Sequence, residues 1–286
     1  MSDIFRRPLG LVLAGGGALG SWQSAVVHAF EARYGLEFDA VLGFSAGALN
    51  AANYFLANME DAVERWRAVD GGVLSPSLKF SPFSMFSNRS IWSNVQQTRD
   101  EAWTKEVARC KLVVVSAHKH RGGFVYAEYN PEGRGVWDGP LTHHLVASCS
   151  IPYIFPPMNL AYRGNDATLV DGGVPCREPM SFGSLSGCRD VIVVEMVRED
   201  EAKNPASWLR RLDHYGRMGC RLVMDQGVRS LKALNPAPRV FRLTPSRILD
   251  FTMLSFQRRH IEGSLALGET DAAAFIAAPQ PHLSGD

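Results

Sequence analysis

Residues 9–14 (LGLVLA) form an unbroken apolar run that leads straight into Gly15, Gly16, Gly17, Ala18, Leu19 and Gly20, four glycines in six residues. So short a run, with no polar alternation, is the pattern of a strand buried on both faces. Residues 21–33 then have helical composition. Residues 39–42 read as a second short strand, and the small-residue stretch 46–57 reads as a second helix. Strand, glycine loop, helix, strand, turn and helix thus alternate within about 50 residues, which predicts an α/β fold with a parallel sheet and helices on its faces.

Further along, residues 60–69 and 91–108 are expected as helices. Residues 111–117 (KLVVVSA) and 191–197 (VIVVEMV) are expected as buried strands, and 124–129 as one strand of a hairpin. Residues 141–150 read as a helix stopped near Pro152. After Pro205 a basic amphipathic helix is expected to about residue 234, then a short strand at 240–243 and a last helix ending before Pro279. The composition shift near residue 200 is the one candidate boundary, between a catalytic α/β layer at 8–197 and a mainly helical C-terminal extension at 198–286 packed on it.

With 286 residues, 46% hydrophobic and 21% charged, the chain has the make-up of a globular protein with a sizeable core, not of a disordered or disulfide-stapled one. Thirty Lys and Arg against 29 Asp and Glu leave a net +1, which argues against a dedicated nucleic-acid binder. The balance hides an asymmetry, because residues 203–259 hold 12 Arg and Lys against three acids, Asp213, Asp225 and Asp250. Cys110, Cys149, Cys176, Cys188 and Cys220 are odd in number and widely spaced, as expected of reduced intracellular thiols without a zinc site or disulfide framework. No run of ~18 apolar residues is present to span a bilayer. Arg6 and Arg7 ahead of an apolar stretch imitate a secretion signal. That stretch is shorter than the ~7–15 residues a signal requires and runs into glycines, so a cytoplasmic protein is expected.

Three motifs carry chemistry. In the glycine loop, backbone N–H groups and a helix N-terminus can approach a negative centre. The same spacing marks dinucleotide folds, but those place an acid at the end of the second strand, and here that strand begins with Asp39 and ends in Gly43. Gly43, Phe44, Ser45, Ala46 and Gly47 then form G-x-S-x-G between strand and helix, the nucleophile elbow that exposes a serine hydroxyl and aims the next residue's N–H at the reacting carbonyl. Asp171, Gly172 and Gly173 follow the apolar residues 167–170. A carboxylate there can lean across a cleft, although Asp-Gly is also a common way to make a turn.

In this order the three motifs resemble the patatin-like phospholipase family, over roughly residues 8–197 and including ASCSIPYIFPP at 147–157. The resemblance implies a three-layer α/β/α fold with a mostly parallel central sheet and a Ser–Asp dyad. Ser45 would be the nucleophile and Asp171 the base. Gly15, Gly16, Gly17 and Ala46 would form the oxyanion hole, and Gly20, Gly43, Gly47, Gly172 and Gly173 complete the motifs. It implies carboxylic ester hydrolysis in phospholipids, lysophospholipids or related acyl lipids, with no cofactor and no metal. There are two departures. The family usually has Arg or Lys where this chain has Leu19, which predicts a weak preference for anionic headgroups. It often has Thr where this chain has Phe44, which predicts a narrowed pocket.

Other readings stay open on sequence alone. The same acyl-enzyme would serve an acyltransferase. A Ser–Asp–His triad could recruit His214, His260 or His282, although Gly17 and Ser45 lie only 28 residues apart, closer than an α/β-hydrolase normally places its loop and elbow. A non-catalytic lipid-binding protein would not need Ser45, Asp171 and the loop glycines together. His143-His144 and His118-Lys119-His120 lack the acidic helix partner of an H-E-x-x-H zinc site. Membrane contact has two candidates: the aromatic loop 78–92, which reads equally well as a loop folded onto the core, and the basic 203–259 segment with Arg210, Arg211, Arg217, Arg221, Arg229 and Lys232, which reads more readily as a solvated helix face.

Overall fold

A computed structural model describes residues 4–69, 74–80, 83–131, 135–201 and 207–281. The first half holds β1 (Leu9–Leu13), α1 (Gly20–Ala32), β2 (Ala40–Phe44), α2 (Ala46–Phe55), α3 (Met59–Ala68), β3 (Pro76–Phe80), β4 (Phe83–Phe86), α4 (Arg89–Asn94) and α5 (Glu101–Val107). The second half holds β5 (Lys111–His118), β6 (Phe124–Tyr129), α6 (Leu141–Ser148), β7 (Met158–Tyr162), β8 (Asn165–Asp171) and β9 (Asp190–Val194). It closes with α7 (Trp208–Lys232), β10 (Arg239–Leu243) and α8 (Arg258–Ala277).

The main sheet has the order β10-β9-β1-β2-β5-β8-β7, with β6 also paired to β5. From β10 to β5 all strands run parallel. β6 and β8 are antiparallel to β5, and β7 is antiparallel to β8. The fold is therefore α/β, a mostly parallel central sheet flanked by helices. β1, β2 and β9 are buried at every residue, as strands covered on both faces must be. β7 (MNLAY) alternates half-buried and exposed residues at the sheet margin, and it is not marked by any apolar run. Beyond residue 197 the chain supplies β10 to this same sheet, and α8 lies along α1. There Gly268 abuts the Trp22 carbonyl, and Trp22 Nε1 donates to Asp271 Oδ2 at 2.9 Å.

Two expectations are corrected. Residues 91–108 form no single helix: a 3-10 turn at Gln96–Arg99 intervenes, and Asp100 restarts the chain as α5 by accepting from the Trp103 amide at 3.0 Å. The aromatic segment 78–92 is not a loop, because most of it belongs to the β3–β4 hairpin and the start of α4; its residues 81–82 lie outside the described residues. That hairpin is tied to the body through Met85 N donating to the Tyr153 carbonyl at 3.1 Å and Phe86 N to the Ile154 carbonyl at 2.9 Å.

β5 organises the site because it outruns β2. β2 covers one edge of β5 up to the Phe44–Val115 pair, while β6 covers the other edge as far as Ala117. β8 takes the next position on the edge that β2 vacates, with Asp171 opposite Ser116. β2 and β8 thus arrive from opposite directions and meet end to end. A Cβ placed on Gly172 would lie 2.8 Å from that of Phe44. Ser45 and Asp171, 126 positions apart in the chain, are neighbours for this reason.

Candidate active site

Ser45 sits at the turn from β2 into α2 with φ 55° and ψ −134°, a conformation that costs a non-glycine residue about 1–3 kcal/mol and persists only where its surroundings enforce it. The Ser45 amide donates to Ser148 Oγ at 2.9 Å, and that hydroxyl in turn donates to the Val115 carbonyl at 2.6 Å. Gly47 is required by close approach, since any Cβ there would collide with the Leu13 and Ala14 carbonyl oxygens. The Ala46 amide, first of α2, has no hydrogen-bond acceptor among the described residues.

The glycine loop lies directly against this elbow: a Cβ on Gly15 would stand 2.9 Å from Ser45 Cβ. Its base is fixed by Gln23 Nε2, which donates to the Ala14 carbonyl at 3.2 Å and the Val194 carbonyl at 3.1 Å. Asn50 Nδ2 adds a bond to the Gly20 carbonyl at 2.9 Å. Gly17 needs to be glycine, with φ 55° and the Met253 carbonyl where a side chain would go. That same carbonyl accepts from Ala18 N at 2.7 Å. The amides of Gly15, Gly16 and Gly17 have no acceptor among the described residues. The loop therefore presents donors beside the serine hydroxyl, as an oxyanion site requires.

Asp171 completes the cluster from the end of β8. It is 4% exposed; Oδ1 accepts from the Gly173 amide at 2.7 Å, while Oδ2 is buried with no partner in full hydrogen-bond geometry. Burial pushes its pKa up to about 7, although the nearby Ser45 hydroxyl and the Gly173 amide both act to lower it. The thiols of Cys149 and Cys220 border it, and burial holds both well above the ordinary thiol range, so they stay neutral. A carboxyl poised near neutrality beside a serine hydroxyl has the basicity that an ordinary aspartate, at ~3.9, lacks.

The structure places the other sequence candidates as follows. Gly172 and Gly173 pack on Phe44, as Gly15 does, so the fully buried Phe44 ring is the spacer beneath all three loops and does not narrow a pocket. Leu19 is also fully buried, part of the core under the glycine loop; the position offers no surface for a headgroup. His260 Nδ1 pairs with Ser255 Oγ at 3.0 Å and its ring stacks on Phe251, and His214 borders Tyr215. Neither is hydrogen-bonded to Ser45. His282 lies outside the described residues.

What the sequence reading missed comes from the C-terminal segment. Arg217, expected on a solvated basic face, is 5% exposed. It donates to Asp213 at 2.7 Å, to Glu201 at 3.1 Å and to the carbonyls of Leu249 and Phe251. Asp213 also accepts from Met253 N at 2.6 Å. This buried network holds the very turn whose carbonyl steadies Ala18. The i, i+4 spacing of Asp213 and Arg217 was the available signal. Ser148 was likewise unmarked, hidden within ASCSIPYIFPP.

The sequence profile of the patatin-like phospholipases matches residues 11–178, a span that holds the glycine loop, the elbow and Asp171 together. The chain belongs to the patatin-like phospholipase family. YqhO, an uncharacterized protein of Bacillus subtilis, is 29% identical over 223 residues, covering 68% of this chain and 74% of YqhO. Lysophospholipase NTE1 of Saccharomyces cerevisiae is 25% identical over 209 residues, 68% of this chain but only 11% of that much longer protein. Among solved structures, VipD of Legionella pneumophila aligns over 91% of this chain and 66% of its own at a TM-score of 0.41 and 11% identity.

Proposed function

We propose that this patatin-like phospholipase cleaves carboxylic esters of phospholipids, lysophospholipids or related acyl lipids through an acyl-enzyme on Ser45, with Asp171 as the base. The observation that carries the reading is the burial of Asp171 beside the strained Ser45, with its pKa raised to about 7. Asp171 takes the hydroxyl proton as Ser45 Oγ bonds to the ester carbonyl carbon. The resulting oxyanion accepts hydrogen bonds from the amides of Ala46 and of the Gly15, Gly16 and Gly17 loop. As the ester C–O bond breaks, Asp171 returns the proton to the leaving alcohol. A water then gives a proton to Asp171 as its oxygen bonds to the acyl carbonyl carbon; the acyl–Oγ bond breaks, Asp171 returns the proton to Ser45 Oγ and the fatty acid leaves.

Family membership supports a lipid ester as substrate, and the resemblance to lysophospholipases supports a monoacyl phospholipid among them. An apolar cleft of about 100 Å³ includes Leu49, one turn of α2 beyond Ser45, with Trp66, Ile91 and Phe256 on its walls, and suits an acyl chain. No helix among the described residues is long and apolar enough to cross a membrane. Contact with a bilayer, from the cytoplasm, is assigned instead to the hairpin residues Leu78, Phe80 and Met85 and to Leu212, Tyr215 and Leu222 on α7, all exposed.

The test is labelling with a fluorophosphonate, together with product analysis on a mixed lipid extract. Label on Ser45, abolished by Ser45→Ala along with fatty-acid release, is expected; strong label on another serine overturns the assignment. Alanine at His214, His260 or His282 should each leave at least about a tenth of the activity, because loss of a true triad base costs ~1000-fold.

A further inference from the structure

The end of β5 leads into His118-Lys119-His120-Arg121, a basic run that neither the oxyanion loop nor the dyad uses. It borders a cleft of about 470 Å³ whose walls include His118, Lys119, Arg177, Phe83, Tyr153 and Phe155. Val170 and Val174, which flank Asp171 in the chain, also line it, so the cleft lies next to the site described above. His118 lies two residues past Ser116, the partner of Asp171, hence ~7 Å farther along the strand. The glycerol unit of a phospholipid spans about such a distance between an ester carbonyl and its phosphorus.

Charge distinguishes this cleft. Neither Lys119 nor Arg177 has an ion-pair partner among the described residues, and no carboxylate among them lines the walls. Elsewhere the arginines near the site are paired, as with Arg217 to Asp213 and Arg221 to Glu199. His118 Nε2 is likewise buried with no partner. Tyr153 stands 70% exposed on the rim in a left-handed conformation, φ 68°, strain of the kind that accumulates at ligand clamps.

Building on the hydrolase reading, we propose that this cleft is the headgroup subsite, where Lys119 and Arg177 receive the phosphate of a phospholipid or lysophospholipid whose ester lies at Ser45. Arg gives a bidentate, charge-assisted contact to phosphate oxygens and Lys a point charge. Phe83, Tyr153 and Phe155 supply the apolar walls for the glycerol and the adjoining carbons. The subsite thus selects esters that carry a phosphate over neutral glycerides.

Binding is measured by calorimetry at pH 8 in Ser45→Ala protein, which cannot turn over, with three soluble probes: monohexanoyl glycerophosphate, monohexanoylglycerol and inorganic phosphate. The glycerophosphate ester should bind at least about tenfold tighter than the neutral ester. Adding Lys119→Gln and Arg177→Gln should bring that ratio close to one, and Arg177→Glu should turn it toward the neutral ester. Both side chains are exposed, and an unchanged thermal midpoint confirms that the variants fold. A ratio that survives the double substitution overturns the subsite. Inorganic phosphate binding as tightly as the glycerophosphate ester overturns it as well, since it would mark an isolated anion site. Because binding needs no turnover, the subsite can fail while Ser45 is still labelled by fluorophosphonate, and the reverse.

Discussion

Ser45 and Asp171 are 6% and 4% exposed, whereas Phe80 and Tyr153, on the hairpin and loop that rim the adjoining cleft, are 82% and 70% exposed. Beneath Ser45 and Asp171, the elbow, the glycine loop and the turn at Met253 are each held by hydrogen bonds. On the rim, apolar side chains stand exposed, and Lys119 and Arg177 have no ion-pair partner among the described residues. The two halves face different tasks. Stabilising an intermediate requires dipoles already fixed in place before charge develops. A surface that receives lipid has to keep apolar area and positive charge unsatisfied until the ligand arrives.

The largest effect that tests the floor is Asp171→Asn. Activity on a monomeric ester should fall about 1000-fold or more, as for loss of other catalytic bases, with fluorophosphonate labelling of Ser45 strongly slowed in the folded protein. Retention of a tenth of wild-type activity would show that Asp171 is not the base. Next come two substitutions that break the supports. Arg217→Met leaves the buried Glu201 and the partly buried Asp213 without their cation, for an expected loss of ~3–5 kcal/mol in denaturant unfolding. Leu19→Arg forces a charge into the core and should cost at least ~3 kcal/mol. A stable, more active Leu19→Arg enzyme would mean that the loop has room for the family's usual cation after all.

These supports divide into what the sequence made visible and what it did not. The strands β1, β2, β5 and β9 and the turns beside them were legible, because a strand buried on both faces must be a plain apolar run and the turns need glycine at fixed places. Ser45 and its loop could be placed from local pattern alone. Asp171 could not be joined to Ser45 by any local rule; their meeting depends on β8 filling the edge of β5 that β2 leaves open. Phe44 and Leu19 look like pocket residues by their position in the motifs, and only packing shows them pointing inward. Arg217 was only partly legible: its i, i+4 spacing from Asp213 marks a pair, but one arginine among twelve cations in a basic segment is shown to be buried only by Glu201 and the carbonyls folded against it.

The proton balance of Asp171 gives a smaller, graded effect. Its carboxyl titrates at about 7, and only the charged form accepts the Ser45 proton. kcat/KM should therefore fall about tenfold for each pH unit below 7, with the slope of a single proton. Stability moves the other way. A carboxyl with a folded pKa above its unfolded 3.8 contributes stability that is fully present below pH 4 and is lost as pH rises through about 7. Asp171→Asn, neutral throughout, should thus gain in melting temperature over wild type from pH 5 to pH 8, with a shift of about three units setting an upper bound of ~4 kcal/mol. His144, which burial holds down to about 4, destabilises both proteins alike on the acid side and cancels in the difference. A melting difference independent of pH would place the Asp171 pKa in the ordinary range.

The smallest expected effect belongs to the rim. Leu78 and Phe80 are 61% and 82% exposed on the β3–β4 hairpin and face no core. Fully burying such a side chain stabilises by about 1.5–3 kcal/mol, and shallow insertion recovers only part of that. Replacing both with serine should lower the ratio of activity on phospholipid vesicles to activity on a soluble short-chain ester by about tenfold, the equivalent of ~1.4 kcal/mol. Salt separates this hairpin from the basic segment. Apolar insertion is insensitive to screening, whereas attraction of Arg229 and Lys232 to anionic lipid weakens as the Debye length falls from ~10 Å at 0.1 M to ~3 Å at 1 M. On vesicles of neutral phospholipid the serine variant should therefore show the same deficit at both ionic strengths. No deficit in the serine variant, together with wild-type activity on vesicles that needs anionic lipid and vanishes in salt, would leave the membrane contact to α7 alone, and the contrast between a sealed floor and an unsatisfied rim would then rest on charge alone.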